Sequence, residues 1–320
     1  MACLRALLAL VLLNSSEVSA GFPEADEAYA RGDYDNAFLE YRSLAYKGEG
    51  QAQYMVGRMY RDGIGVNEDR SLAVTWFRKA AESRVTDGQV ALAQMYLDGR
   101  GVPRSTGDAV LWLRKAVVEE NPVAMDMLGE LYEEGNGVPQ DFLKAASLYR
   151  DASQLGDPVG QNRLGKMFYD GKGVPKDYEQ AITLFRKAAA AENSEAQNNL
   201  GRAYVDAKGV AQDYVEAASW FRKAAELGNA MAQNNLGLMY YEGKGVPKDH
   251  VLAHMWFNLA AAQGSESATR LRDLASSARL TPEQIIEAQR LAREWEEKHA
   301  PPRLIRRKPF EPTQAVTSPP

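Results

Sequence analysis

The chain has 320 residues, with 38 lysines and arginines against 43 aspartates and glutamates and a net charge of -5. Five basic residues against one acidic residue give the stretch from Lys298 onward a net charge of +4, leaving -9 for the rest, and an acidic body argues against a nucleic-acid ligand, whose phosphates require a basic face. A single cysteine, Cys3, excludes an intramolecular disulfide, while an apolar fraction of 45% with recurring aromatics supplies a continuous core.

Met1 to Arg5 is a short positively charged start, Ala6 to Leu13 an apolar run, and Val18-Ser19-Ala20 before Gly21 suits a signal peptidase. This predicts a cleavable secretory signal over residues 1–20, cut after Ala20, and a periplasmic or secreted mature chain without thiols or a transmembrane segment. Cys3 precedes the apolar run, whereas a lipoprotein cysteine follows it. Residues 21–49 read as a shortened capping hairpin: Ala37 and Tyr41 fall 36 residues before Ala73 and Phe77, but the first helix and turn are abbreviated.

From Gly50 to Gly264 the chain repeats itself every 36 residues. Gly57, Ala93, Gly129, Gly165, Gly201 and Gly237 fall in one register, and the other markers move with them. A fixed period of this length marks stacked supersecondary units that cannot bury their apolar faces alone. Within each unit apolar and small residues recur at helical spacing, as in Ala196, Leu200, Ala203 and Tyr204, then Ala217, Trp220, Phe221 and Ala224. Each unit is therefore a helical hairpin. Glycine in mid-helix costs about 1 kcal/mol relative to alanine, so its recurrence implies a close helix approach. Ala217, Ala224 and Ala225 are the expected opposing dents, with Trp220 or Phe221 filling the space between units.

The connection is equally legible. In Tyr240-Tyr241-Glu242-Gly243-Lys244-Gly245-Val246-Pro247-Lys248-Asp249, Gly243 suits the left-handed residue that ends a helix, Gly245 permits a second bend, and proline prevents continuation. Asp249 is placed to cap the next helix. Asp177 with Gln180, and Asp213 with Glu216, are spaced as reciprocal capping boxes. The unit from Val85 to Asn121 departs most from the pattern, through Ala93, Ser105, Gly107 and Val117, and is expected to be among the least regular. Past Gly264 the period stops. Residues 265–299 read as capping helices, the second opened by Thr281-Pro282-Glu283-Gln284. Residues 300–320 read as a disordered, proline-rich basic tail.

The markers Leu236-Gly237, Tyr240, Gly243-Lys244-Gly245-Val246, Asp249, Ala253, Trp256-Phe257 and Ala260-Ala261 resemble the Sel1-like repeat family, relatives of tetratricopeptide repeats. The resemblance implies an all-α fold, an α/α superhelical solenoid with capping helices, the first helix of each unit lining the concave side. It also implies an exported scaffold or adaptor for protein complexes, with envelope signalling or surface assembly as settings. Cysteine-rich relatives staple each hairpin with a disulfide, and this chain lacks those cysteines. Some relatives are described as β-lactamases, yet no serine here has a lysine three positions later, and neither Ser-Asp-Asn nor Lys-Thr-Gly occurs. The chain is read as a non-enzyme without cofactor.

His250 and His254 have the spacing of two metal ligands on one helical turn. Their register matches Phe142, Tyr178 and Tyr214, and Val74, Ile182 and Ala218, so they read as packing variants and no metal site is assigned. Gly171 to Lys176 lacks the strand and the Gly-Lys-Ser/Thr ending of a phosphate loop. An acidic residue precedes the first turn glycine or its substitute in every unit (Asp62, Asp98, Glu134, Asp170, Asp206 and Glu242). It opposes the helix dipole, so pairing with Arg78, Arg114, Arg150, Arg186 and Arg222 is expected.

If the first helices line the inner curve, the face opposite their core reads Tyr54-Arg58-Arg61, Val90-Gln94-Leu97, Asp126-Glu130-Glu133, Asn162-Lys166-Tyr169, Asn198-Arg202-Val205 and Asn234-Leu238-Tyr241. Unlike the core markers, this stripe changes from unit to unit, as selective capture of an extended protein or peptide partner requires. A glycan is the second ligand considered, with Tyr54, Tyr169 and Tyr241 as stacking surfaces. On this assignment, charge reversal of Asp126, Glu130 and Glu133 should weaken partner capture while leaving the circular dichroism melt largely unchanged.

Overall fold

A computed structural model describes residues 22–299. The expected signal with its cleavage site, and the proline-rich tail, lie outside the described residues. The chain divides into two compact units, the first ending at Glu119 and the second beginning at Glu120. The first holds α1 (Pro23–Ala30), α2 (Tyr34–Tyr46), α3 (Gly50–Asp62), α4 (Arg70–Glu82), α5 (Thr86–Asp98) and α6 (Thr106–Val118). The second holds α7 (Pro122–Glu134), α8 (Phe142–Gln154), α9 (Pro158–Asp170), α10 (Tyr178–Ala190), α11 (Ser194–Asp206), α12 (Tyr214–Glu226), α13 (Ala230–Glu242), α14 (His250–Ala262), α15 (Glu266–Arg279) and α16 (Pro282–His299). There is no strand among the described residues. The fold is an all-α solenoid of helical hairpins.

The turn between paired helices follows the sequence. Gly63, Gly99, Gly135, Gly171 and Gly243 end their helices at φ between 66° and 73°. Ala207 holds the same left-handed conformation at φ 56°, which costs a residue with a Cβ about 1–2 kcal/mol. The second turn glycine is needed for a different reason. A Cβ on Gly209 would lie 2.6 Å from the Tyr178 carbonyl oxygen, and Gly173 and Gly245 abut the carbonyls of Phe142 and Tyr214 in the same way. The turn of one hairpin thus rests on the start of the second helix of the hairpin before it.

Asp69, Asp141, Asp177, Asp213 and Asp249 accept backbone N–H bonds at 2.9–3.0 Å, and Ser105 accepts one at 3.3 Å. The two capping boxes do not close. The Asp177 and Asp213 N–H groups donate instead to the Phe168 and Tyr204 carbonyls of the preceding helix, and Gln180 Nε2 donates to the Asp177 carboxylate at 2.8 Å. The box at Thr281 does close: Thr281 N–H donates to Gln284 Oε1 at 3.0 Å, and Gln284 N–H to Thr281 Oγ1 at 3.3 Å.

The mid-helix glycine faces a ring first, and at Gly165 and Gly237 an expected alanine stands beside it: an added Cβ would lie 3.3 Å from the Ala181 carbonyl oxygen and 3.2 Å from that of Ala253, the counterparts of Ala217. A Cβ on Gly57, Gly129, Gly165, Gly201 or Gly237 would stand 2.5–2.8 Å from the ring of Phe77, Tyr149, Phe185, Phe221 or Phe257, on the second helix of the same hairpin. Where the glycine becomes Ala93, the corresponding residue is Leu113, and both are fully buried. This compensation explains why the hairpin of α5 and α6 is not irregular: both helices have 13 residues, and the turn and cap match the others. Glycine also meets alanine between hairpins. Gly88 packs on Ala80 and Gly160 on Ala152, with added Cβ atoms at 2.7 and 2.6 Å.

A buried glutamine also joins successive hairpins. The Nε2 atoms of Gln53, Gln89, Gln197 and Gln233 donate to the carbonyls of Ala45, Ala81, Ala189 and Ala225 at 3.3 Å. Burial makes each of these amides costly to leave unpaired, so the bond selects one stacking register. At the beginning of the chain, Ala28, Ala37, Phe38 and Tyr41 bury against Ala52 and Val56 of α3, and the Tyr41 hydroxyl donates to Asp26. At the other end α16 returns onto α14, burying Ala288 and Ala292 and setting Trp295 edge-on to Trp256 at 6.0 Å.

Gly201→Ala should destabilise the fold by about 1–3 kcal/mol through overpacking. In the background of Phe221→Leu, which copies the Ala93 and Leu113 pair, the same change should cost less than it does alone. Urea melts of the two single variants and the double variant measure the coupling; strictly additive losses would refute the glycine-under-ring contact.

Candidate functional site

The predicted stripe separates into three positions with different surroundings. The middle position of each triplet, Arg58 and Gln94 in the first unit, then Glu130, Lys166, Arg202 and Leu238 in the second, faces outward; Gln94, Lys166 and Arg202 are exposed, the others half-buried. The line of greatest exposure runs from this position to residues four on and seven before, such as Glu242 and Met231 on α13.

The third position leans over its own hairpin. The Tyr169 ring lies 5.1 Å from Tyr178 and 6.2 Å from Phe185, and Tyr241 lies 5.0 Å from His250. Arg61 bonds Asp62 at 2.7 Å and sits over Phe77, while Glu133 accepts from the Tyr149 hydroxyl at 3.3 Å. Leu97 and Val205 are half-buried. At the first position Tyr54 likewise packs on Phe77, at 5.9 Å, and Val90 is half-buried. The three tyrosine rings are therefore packed against neighbours within their hairpins.

In the second unit the first position is half of a ladder between neighbouring first helices. Its partner lies 37 residues later. Asp126 meets Arg163 at 3.4 Å, Asn162 accepts from Asn199 at 2.9 Å, and Asn198 accepts from Asn235 at 2.9 Å. Asn162 also donates to Glu195 at 3.0 Å, and Arg163 reaches Glu130 at 3.1 Å. Asn162 and Asn198 are 2% and 1% exposed, so their side chains serve the stack. Sequence reasoning missed the partners Arg163, Asn199 and Asn235. The signal was present as a match of charge with opposite charge, and amide with amide, one residue beyond the repeat period.

This ladder corrects the charge-reversal expectation. Asp126 and Glu130 are committed to Arg163, so reversing them would place cations beside a half-buried guanidinium and lower the melt itself. Burial pushes the Asp126 carboxyl up to about 6; Arg163 opposes the shift, and Glu130, Asp157 and Glu195 add to it.

At three of the five second-helix arginines the expected pairing with a turn acid gives way to another partner. Arg78, Arg186 and Arg222 donate to the hydroxyls of Tyr96, Tyr204 and Tyr240 at 2.9, 3.3 and 3.0 Å, bridging successive hairpins. The acids use cations of their own turns: Asp62 with Arg61, Asp98 with Arg100, Asp206 with Lys208 and Glu242 with Lys244. The turn supplies the nearer cation, and the arginine stem is carried past it to the next hairpin.

His254 is buried, with Nε2 2.8 Å from Ser276 Oγ and Nδ1 3.0 Å from Asn258 Nδ2. Because the Asn258 amide donates to Nδ1, the ring is neutral with its proton on Nε2. Burial and Arg272 hold its pKa below the usual value, against Asp273. His250 packs on Tyr241. No group of three or more His, Cys, Asp and Glu side chains is arranged to hold a metal among the described residues. Gly171 and Gly173 are used in the turn, as a helix end and as a contact with Phe142. No described helix is long and apolar enough to cross a membrane.

Six Sel1 repeats match the chain, over residues 50–84, 86–117, 122–157, 158–193, 194–229 and 230–265. The chain belongs to the Sel1-repeat family, a non-catalytic scaffold fold that generally mediates protein interactions. Among solved structures, a Sel1 repeat protein from Oxalobacter formigenes is 27% identical, covering 81% of this chain and 97% of its own, with a TM-score of 0.67. The c5321 protein, a protective antigen present in uropathogenic Escherichia coli strains, is 28% identical over 83% of this chain and 80% of its own, with a TM-score of 0.44. A Sel1 repeat protein from Klebsiella pneumoniae is 23% identical over 64% of this chain and 99% of its own, with a TM-score of 0.45. No curated protein matches the chain.

Asp126 titrates higher in the fold than in an unfolded chain. Its protonation therefore stabilises the fold fully below about pH 4, and that contribution is lost as pH rises through about 6. Relative to Asp126→Asn, the wild type should gain stability as pH falls from about 7 to 5. Urea melts across that range check the sign, and a difference flat in pH would mean that Asp126 stays ionised beside Arg163.

Proposed function

We propose that this protein is an exported scaffold that holds an extended protein or peptide partner along the outward line of its first helices. The carrying observation is the division of labour among positions. The glycine, ring, glutamine and ladder residues are consumed by packing, and an outward position remains on α9, α11 and α13 whose chemistry changes from Lys166 to Arg202 to Leu238. Such a series offers a partner a fixed spacing with a different contact at each step. The Tyr54, Tyr169 and Tyr241 rings are half-buried against neighbours within their hairpins, which favours the protein reading over a glycan stacked on them.

Export rests on the leader: the basic start, the apolar run from Ala6 to Leu13 and the small residues at Val18-Ser19-Ala20. Envelope signalling and surface assembly are the settings this reading favours.

Full-length chain expressed with its leader in a Gram-negative host should be recovered from the periplasm or medium with Gly21 as its first residue, read by mass spectrometry. Retention of Met1 in the cytoplasm would rule out export. Capture from an envelope extract by wild type, compared with Lys166→Glu combined with Leu238→Asp, tests the binding line. Lys166→Glu, at an exposed position, should change stability by about 0.5 kcal/mol or less and Leu238→Asp, at a half-buried one, by more; the variant should still melt cooperatively, yet retain at least about tenfold less partner. Identical capture by both would remove this face from the function.

A further inference from the structure

Successive hairpins of the second unit are joined by turns that share one edge of the stack, at residues 154–159, 190–195, 226–231 and 262–267. These four stretches hold Asp157, Glu192, Glu195, Glu226 and Glu266, and no lysine or arginine. Asp157 caps α9 and Glu195 accepts from Asn162, while Glu192, Glu226 and Glu266 are exposed and have no ion pair among the described residues. The nearest cations in sequence stand a helical turn away: Lys187 on α10, Lys223 on α12 and Arg270 on α15, with Lys223 over the Trp220 ring. The same edge leaves apolar side chains in solvent. Leu155 and Val159 are 50% and 37% exposed, and Leu227 and Met231 are 49% and 59% exposed.

Along the edge, an apolar pair (Leu155 and Val159) is followed by the acids Glu192 and Glu195, then by a second apolar pair (Leu227 and Met231), one hairpin apart at each step. Helices pack about 8–10 Å apart, so the two apolar pairs stand roughly 16–20 Å from one another. The C-terminal stretch carries the complementary series: Leu304-Ile305, then Arg306-Arg307-Lys308, then Phe310. In an extended chain of about 3.3 Å per residue, Phe310 falls roughly 16–20 Å beyond Ile305 and Leu304. The described chain also ends close to this edge. The charge of Arg279, at the end of α15, acts on His250 at the start of α14, so α16 begins at the far edge and runs back along α14, with Trp295 6.0 Å from Trp256. Its last residue is His299, and Leu304 follows five residues later.

We propose that residues 303–310 of this chain dock extended along that edge, Leu304 and Ile305 on Leu227 and Met231, the cations on Glu192 and Glu195, and Phe310 on Leu155 and Val159. The order follows from connectivity, because a segment leaving α16 at the last hairpin meets Leu227 before Leu155. Exposed ion pairs are weak one by one, but a short tether holds the segment at an effective concentration of about 1 mM, which makes modest contacts sufficient in sum. The inference goes beyond the protein-binding reading and does not rest on it. Met231 lies on the outward line of α13, so the docked segment borders the face assigned to the partner.

Carbodiimide cross-linking of the chain from Gly21 to Pro320, which joins a lysine to a carboxylate in contact with it, tests the placement. Mass spectrometry should find Lys308 joined to Glu192 or Glu195 within one copy, and mixing isotope-labelled with unlabelled chain separates this from links between copies. In a second measurement the acetylated, amidated peptide Pro302–Glu311 is titrated against wild type and against the triple variant Arg306→Glu, Arg307→Glu and Lys308→Glu, whose own segment is repelled. The triple variant should bind the peptide with a Kd below about 1 mM, and wild type on the order of tenfold more weakly, because its own segment fills the edge. Adding Glu192→Gln and Leu227→Asn to the triple variant should weaken the peptide on the order of tenfold, with cooperative melts throughout. The proposal fails if Lys308 links to neither acid or only between copies, if the peptide does not saturate the triple variant below about 1 mM, if wild type binds it equally well, or if the added changes leave its affinity unaltered. Sedimentation of wild type with phosphatidylglycerol and phosphatidylethanolamine vesicles, without a Lys308 link to the edge, would assign the segment to a membrane surface instead.

Discussion

The fold depends on one close approach inside each hairpin: the ring of the second helix lies directly against the backbone of the first, where there is no Cβ. Contact at 2.5–2.8 Å from where that Cβ would stand sets the distance between the two helices. It thereby sets where the turn must begin and which residues reach the neighbouring hairpin. The pair Ala93 and Leu113 shows that the constraint belongs to the pair. A methyl group is admitted on one side because the opposing ring has been replaced by a smaller, branched side chain, and the backbone of that hairpin is unchanged.

Stacking uses a second, more polar set of contacts. Alanine and glycine allow adjacent hairpins to approach, the second turn glycine rests on a carbonyl of the hairpin before it, and a buried glutamine bonds the last turn of the preceding helix. Arginine-to-tyrosine bridges and the ladder of first helices complete the joint. Hydrophobic contact alone is non-directional and would tolerate sliding, whereas a buried amide must find its partner or carry the cost of leaving it unpaired. These polar contacts therefore favour a single register for the stack. They also determine which side chains remain for a partner, because a residue committed to its neighbour has little capacity for another bond.

This division explains why the candidate surface was only partly legible from sequence. Variability along the first helices marks two things at once. At Lys166, Arg202 and Leu238 it marks an outward residue, but at Asp126, Asn162 and Asn198 it marks one half of a matched pair. The two cases look alike within one repeat period and separate only when the chain is compared with itself one residue beyond the period. The turn acids show the same limit. Their sign and spacing suggested the second-helix arginines, but Asp62, Asp98, Asp206 and Glu242 pair with cations one or two residues away, and Arg78, Arg186 and Arg222 found tyrosine hydroxyls instead.

The period, the hairpin, the left-handed helix ends, the capping aspartates and the Thr281 box were all determined by the sequence alone. Each depends on interactions within about ten residues, where residue type and spacing specify the geometry. Which face of a first helix meets solvent, what the recurring glycine touches, and which residues pair across hairpins one place beyond the repeat period were decided by the tertiary structure. Those outcomes depend on which side chains of separate hairpins come within bonding distance, and that is set by the helix spacing under the aromatic rings and not by any local stretch of chain.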